Sequence, residues 1–222
     1  MAPIIKVSDE VLKGLDNLRV AYELERAEPT QRNEQNETSL NLEKDFIKLS
    51  SGIYVAKEKT LHGKNWFDSH KALQEQGKRM LIPLEFVEFL KYTRENFPEI
   101  YRDVTEVRSP WRAEHLDAYF EKRKDGLYIL TGNKTKEEKL DEDTLMEDRI
   151  PGISLDDYID RAHTSQGLPR RDVKKGNLYF WHPRNVSVAW FDALGNRANL
   201  YCDWFPQFRY FDIGVRAVAQ EK

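Results

Sequence analysis

Disulfide bonds within the chain are excluded, because its 222 residues include one cysteine, Cys202. A dominant charge is lacking as well. Lys and Arg number 35 against 38 Asp and Glu, a net −3, so nothing in the balance favours nucleic acid. No apolar run approaches the roughly 20 residues a spanning helix needs, so membrane insertion is not expected. The opening MAPIIKVSDEVLKG has no basic segment followed by an apolar one. No secretory signal is therefore expected, and synthesis in the cytoplasm is. His62, His70, His115, His163 and His182 are scattered without a close ligand pair, and GNKTKEEK lacks phosphate-loop spacing. These residues are expected in core or surface roles, with no metal and no cofactor.

What the chain does have is apolar substance, 40% of residues, enough for a core at this length. Residues 1–39 read as a separate N-terminal segment. Ser8 is a candidate N-cap, Val11, Leu15, Leu18 and Tyr22 follow at helical spacing, and RAEPTQRNEQNETS is a polar linker. A domain is expected over 40–222. DFIKLSSGIYVAKEKT reads as one or two strands. NWFDSHKALQEQG reads as a helix stopped by Gly77, with Trp66, His70 and Leu73 on one face. IPLEFVEFLKYTRENF reads as a second helix with Pro83 in its first turn and Phe86, Phe89, Leu90 and Phe97 as its apolar face. Ser109 and Pro110 repeat that start signal and predict a helix over SPWRAEHLDAYFEKR. KTKEEKLDEDTLMEDR reads as a solvated connection, and Ser154 with Asp157 as a helix start, which also accounts for the acid pair Asp156–Asp157.

From Gly176 the character changes. Of 26 aromatic residues, 11 fall in 176–215, in short strands punctuated by Pro183, Gly195 and Pro206. In RANLYCDWF, period two puts Ala198, Leu200, Cys202 and Trp204 on an inward face, and Tyr201 and Phe205 on the other.

This α+β layout, closing on Gly214, Val215, Arg216, Ala217 and Val218, resembles the C-type-lectin fold in its formylglycine-generating-enzyme-like version. More narrowly, YFWHPRNVSVAWFDALGNRANLYCDWFPQFRYFDIGVRAV resembles the variable region of a diversity-generating-retroelement target protein of the archaeal variable-protein type. The resemblance spans about 46–220 and is most specific in 176–218. It implies that a reverse transcriptase copies a template and mutates its adenines, scrambling AAC or AAT codons at fixed positions. Fourteen positions then become ligand-binding candidates: His182, Val186, Ser187, Asp192, Leu194, Gly195, Arg197, Tyr201, Phe205, Phe208, Arg209, Tyr210, Phe211 and Asp212. All are reachable by codons ending in a pyrimidine. Trp181, Trp190 and Trp204 are not, and are assigned to the framework; Gln207 is not reachable either and stands apart.

The lectin calcium motifs, with their several oxygen ligands, are missing, and the oxidase chemistry of the resembled enzymes needs more than one cysteine. Cys202 reads as a small buried hydrophobe. The expectation is a recognition protein and not an enzyme, its ligand a protein. An enzyme or inert relative of the formylglycine-generating family is the first alternative. The second is a DNA-associated regulator, since IKVSDEVLKGLDNLR resembles the first strand and helix of a ribbon-helix-helix repressor; an oligomerisation helix is favoured over it.

Overall fold

In the computed structural model, described over residues 42, 44–106, 109, 111–194 and 197–219, the chain is a mixed α+β protein dominated by sheet. Two hairpin strands open it, β1 (Phe46–Lys48) and β2 (Tyr54–Ala56). Helix α1 (Trp66–Glu75) follows, capped by the Asn65 side chain on the Asp68 N–H, and ends before Gly77 at φ +66°. It buries Trp66, Ser69, His70 and Leu73. Strand β3 (Arg79–Met80) leads into α2 (Pro83–Asn96), which begins on Pro83 and buries Phe86, Phe89 and Leu90. A further helix that the pattern had not suggested, α3 (Pro98–Thr105), follows directly.

The segment expected as a third helix is instead β4 (Ala113–Arg123), an eleven-residue strand buried on both faces over its first eight residues. Local propensity loses here to pairing. β4 is central, flanked by β5 (Gly126–Thr131) on one side and β9 (Ser187–Leu194) on the other. The charged middle is partly structured too. It contains β6 (Lys136–Lys139), a fully exposed edge strand whose Lys and Glu side chains discourage edge-to-edge pairing, and it buries Leu140, Leu145 and Met146. Then come β7 (Arg149–Ile153), α4 (Leu155–Asp160, with Ser154 accepting from the Asp157 N–H), β8 (Leu178–Trp181), β10 (Arg197–Trp204), β11 (Ile213–Gly214) and β12 (Ala217–Ala219).

Two sheets result. The larger runs β6-β5-β4-β9-β10-β8-β7, with β11 parallel to β4 and β8 parallel to β10. The smaller runs β1-β2-β12-β3, so the last strand pairs with one of the first. The expectations for residues 1–39 lie outside the described residues. No described helix is long and apolar enough to cross a membrane.

Two buried polar groupings sit in the core. Arg216, between β11 and β12, lies 3.0 Å from Glu114 of β4, donates to the Ala56 and Lys57 carbonyls, and covers the Phe89 ring. His70 lies 3.2 Å from Asp117, which also accepts from the Gly132 N–H. Beside them His115 is buried, and neither ring nitrogen makes a hydrogen bond of good geometry, although the Lys64 main chain lies close.

Two outcomes follow. Arg216→Met should cost about 3–5 kcal/mol in denaturant unfolding, because it strands the Glu114 carboxylate without its partner. Burial, helped by the nearby His70, pushes His115 from its ordinary 6.5 down to about 4. The unfolded chain therefore binds the extra proton between those values, so stability is full above pH 6.5 and falls as pH drops through 4. The loss should approach about 3 kcal/mol, and in a Tm-versus-pH series His115→Leu should flatten it.

Candidate functional site

The register of three adjacent strands builds the site. Ala198, Leu200 and Cys202 of β10 face the main core and are fully buried. Phe191 lies opposite Leu200 on β9, and Phe180 beside it on β8. The alternate residues form the other face: Tyr179 and Trp181 on β8, Arg197, Asn199 and Tyr201 on β10, Trp190 and Asp192 on β9.

Trp204 corrects the simple alternation. The register passes from Tyr201↔Trp190 to Trp204↔Val188, so β10 carries one extra residue. This bulge turns Trp204 out of the Cys202 face and onto the Tyr201 face. There it stacks on Trp190, with centroids 4.5 Å apart. A continuous run of rings results. Trp181 stacks on Tyr201 at 4.0 Å, and Tyr201 meets Trp190 edge-on at 5.4 Å. Trp204 meets Phe208 at 5.5 Å, and Phe208 stacks on Tyr210 at 5.5 Å. Trp111, from the segment before β4, adds contacts to Trp190 at 6.0 Å and Tyr210 at 6.3 Å.

Main-chain bonds hold the loop that supplies the outer rings. The Trp66 N–H, at the start of α1, donates to the Pro206 carbonyl. Ala113 N–H donates to Asp212 O, Gly63 N–H to Ile213 O, and Ile213 N–H to Tyr210 O. One side-chain pair joins in, Arg209 to Asp68 at 2.5 Å. The side chains of Phe205, Phe208, Tyr210 and Phe211 are left projecting, Phe211 with 80% of its surface exposed.

The fourteen candidate positions separate clearly. Among the described residues, seven large hydrophobic side chains are exposed; six of them, Val186, Leu194, Phe205, Phe208, Tyr210 and Phe211, are candidates. Tyr201 and Asp212 are half-buried, Arg197 is half-buried at the start of β10, and Arg209 is exposed. Val186, at φ +58°, and His182 lie in the connection between β8 and β9; His182 bonds the Met146 carbonyl and the Asp148 carboxylate. Gly195 lies outside the described residues.

Ser187 and Asp192 depart from the surface role expected of them. Both are buried. The Ser187 hydroxyl lies 2.7 Å from the Arg184 and Cys202 carbonyls. Asp192 accepts from the Asn199 amide at 2.6 Å and the Trp111 indole at 3.2 Å. Each ties strands or segments together behind the surface. Trp111 and Tyr179 are the members of the ring system that the sequence reading did not single out. Trp111 lies 81 positions from its partner Asp192 and in a segment read as helical, so no local signal joined the two.

Burial raises Tyr201 to about 12, with Asp192 adding to it, and raises the Asp203 carboxyl and the Cys202 thiol. Tyr201 and Cys202 are therefore neutral at pH 7, and Cys202 is no thiolate nucleophile. Among the described residues no group of three or more His, Cys, Asp or Glu side chains is placed to hold a metal ion. The arrangement offers contact area and hydrogen bonds.

Compared with protein-family models, curated proteins and solved structures, the chain finds no match.

Floor and rim should respond differently to truncation. Trp190, 3% exposed and touching Trp111, Tyr201 and Trp204, should cost about 3–5 kcal/mol when replaced by Ala. Phe205→Ser and Phe211→Ser should each stay within roughly 0.5 kcal/mol of the parent in the same denaturant titration. Unfolding by either rim change would make the loop part of the core.

Proposed function

We propose that the chain is a ligand-binding recognition protein whose C-terminal surface is diversified by retroelement mutagenesis, and that it is not an enzyme. The observation that carries the reading is the coincidence just described: among the described residues, six of the seven exposed large hydrophobics fall on positions that the resemblance to a variable region had implied and that the codon check allows. An isolated exposed hydrophobe needs no explanation, whereas a group of exposed aromatics around one loop marks an interaction site. Tyr, Phe and Arg on a rigid support supply contact area at low entropic cost.

The finer fold assignment, a C-type-lectin-like domain of the formylglycine-generating-enzyme-like version, belongs to the same proposal. It is supported by the antiparallel pairing of the last strand with the second, and by the place of Gly214–Val218 across β11 and β12. The ligand proposed is a protein, because the exposed rings form a broad surface and not a closed cavity.

The DNA around the gene tests the diversification directly. A near-copy of the segment encoding 176–218, differing at adenines and lying close to a reverse transcriptase gene, is expected. A locus with neither would sink that part of the reading and leave the binding surface to be judged separately.

A further inference from the structure

Four arginines lie in residues 176–218, and three have a carboxylate partner. Arg184 pairs with Asp148 at 2.5 Å, Arg209 with Asp68 at 2.5 Å, and Arg216 with Glu114 at 3.0 Å. Arg197 is different. Its Nε donates to the Asn199 Oδ1 at 3.1 Å, and its guanidinium lies over the Tyr179 ring, 4.3 Å from the centroid. Among the described residues no carboxylate lies within ion-pairing distance of it.

The side chain is nevertheless fixed on two sides. The Asn199 amide can present its oxygen to Arg197 because its nitrogen is committed to Asp192, at 2.6 Å. Asp192 in turn is held by the Trp111 indole at 3.2 Å. This relay runs Trp111, Asp192, Asn199, Arg197 along the outer face of the sheet, and Asp192 and Asn199 are buried. The Tyr179 ring lies under the guanidinium on one side. Among the described residues nothing pairs with the edge carrying Nη1 and Nη2, a planar fork of parallel N–H donors whose natural complement is a carboxylate bound through both oxygens. The Trp181–Tyr201 stack stands beside it, with Trp181 6.3 Å from Tyr179.

We infer that Arg197 is a preorganised carboxylate-binding subsite of the recognition surface, with Asn199 and Asp192 as its positioning residues. This rests on the binding reading above. A fork already held against a ring and hydrogen-bonded loses little freedom on binding, whereas Arg184 and Arg209 must first give up an existing partner. The chemical class it takes is an Asp or Glu side chain, or a C-terminal carboxylate, of a protein ligand.

A random-peptide display library panned on the full-length chain tests this. Retained peptides should be enriched in Asp, Glu or a free C-terminal carboxylate. Replacing that acid by its amide should weaken binding about tenfold, the scale of one charge-assisted hydrogen-bonded pair. C-terminal amidation tells the main-chain carboxylate from the side chains. Arg197→Gln should lose the same factor and make the peptide's acid indifferent. Arg197→Lys, keeping the charge without the fork, should restore little. Asn199→Leu should weaken binding with the acid preference reduced, and unchanged melting of the Arg197 variants would show the fold intact. Peptides that need Phe208 and Phe211 but ignore Arg197→Gln would overturn the subsite and leave the surface standing. Retention of no peptide, or of peptides indifferent to Phe208→Ser and Phe211→Ser, would overturn both.

Discussion

A single guanidinium joins the two sheets. Arg216 stands where the chain leaves β11, on the larger sheet, and enters β12, on the smaller. It is about 1% exposed, as is its partner Glu114. An ion pair taken so completely out of water is tolerated only when its remaining hydrogen-bonding groups are satisfied. On the arginine side the Ala56 and Lys57 carbonyls accept from Nη1 and the Phe89 face covers the guanidinium, drawing in the end of β2 and helix α2, while Glu114 Oε2 has the ion pair alone. The hydrogen-bond partners that one buried charge requires therefore dictate how β2, β4, α2 and the C-terminal strand sit together. The aromatic loop comes immediately before this point. Its end is held in place because Ile213 pairs with Ala113 and Gly214 with Glu114, the residue that neutralises Arg216.

On that foundation β9 and β10 divide the labour between their two faces. The Leu200 face is apolar and closed, with Phe180 and Phe191 packed beside Leu200 and Cys202. The Tyr201 face is aromatic and open at its edges, and the bulge before Trp204 makes the two unequal. Without the extra residue Trp204 would fall on the Cys202 face, and the Trp190 stack would be lost. Offset and edge-on ring contacts of this kind contribute about 0.5–1.5 kcal/mol each beyond simple burial. The floor therefore has stability of its own, drawn from Trp111, Trp181, Trp190 and Trp204, and depends little on the rim residues. An exposed apolar rim is tolerated where a stiff floor prevents it from collapsing inward.

What was legible in the sequence was whatever a local pattern could carry. The helices at Trp66 and Pro83 announce themselves by caps and by 3.6-residue spacing. The three inward residues Ala198, Leu200 and Cys202 follow from alternation. The exposed rings at 205–211 were marked by the concentration of aromatics from Gly176 onward and by the positions that the resemblance implied. What was not legible depended on distant partners. Ser109 and Pro110 signal a helix, yet the next residues become a central strand, because β5 and β9 offer pairing on both sides and Arg216 offers Glu114 a partner 102 positions away. Ser187 and Asp192 have polar side chains of the size a surface uses. Only the Cys202 carbonyl and the Asn199 amide, placed by pairing, show them to be interior. The bulge at 201–204 has no glycine to mark it.

The same distinction bears on the proposed binding role, in which charge at this surface would speak to specificity more than to stability. Exposed pairs such as Arg209–Asp68 and Arg184–Asp148 contribute at most about 1 kcal/mol, because water screens them and two long side chains must be held still. Their removal would barely move the fold. Arg197 is held by a ring and an amide instead, so it forms no pair that a ligand must break. Under the proposed binding role, a partner lacking an acid there would leave the guanidinium partly desolvated and unsatisfied, and that penalty would discriminate between partners without adding anything to the free protein's stability.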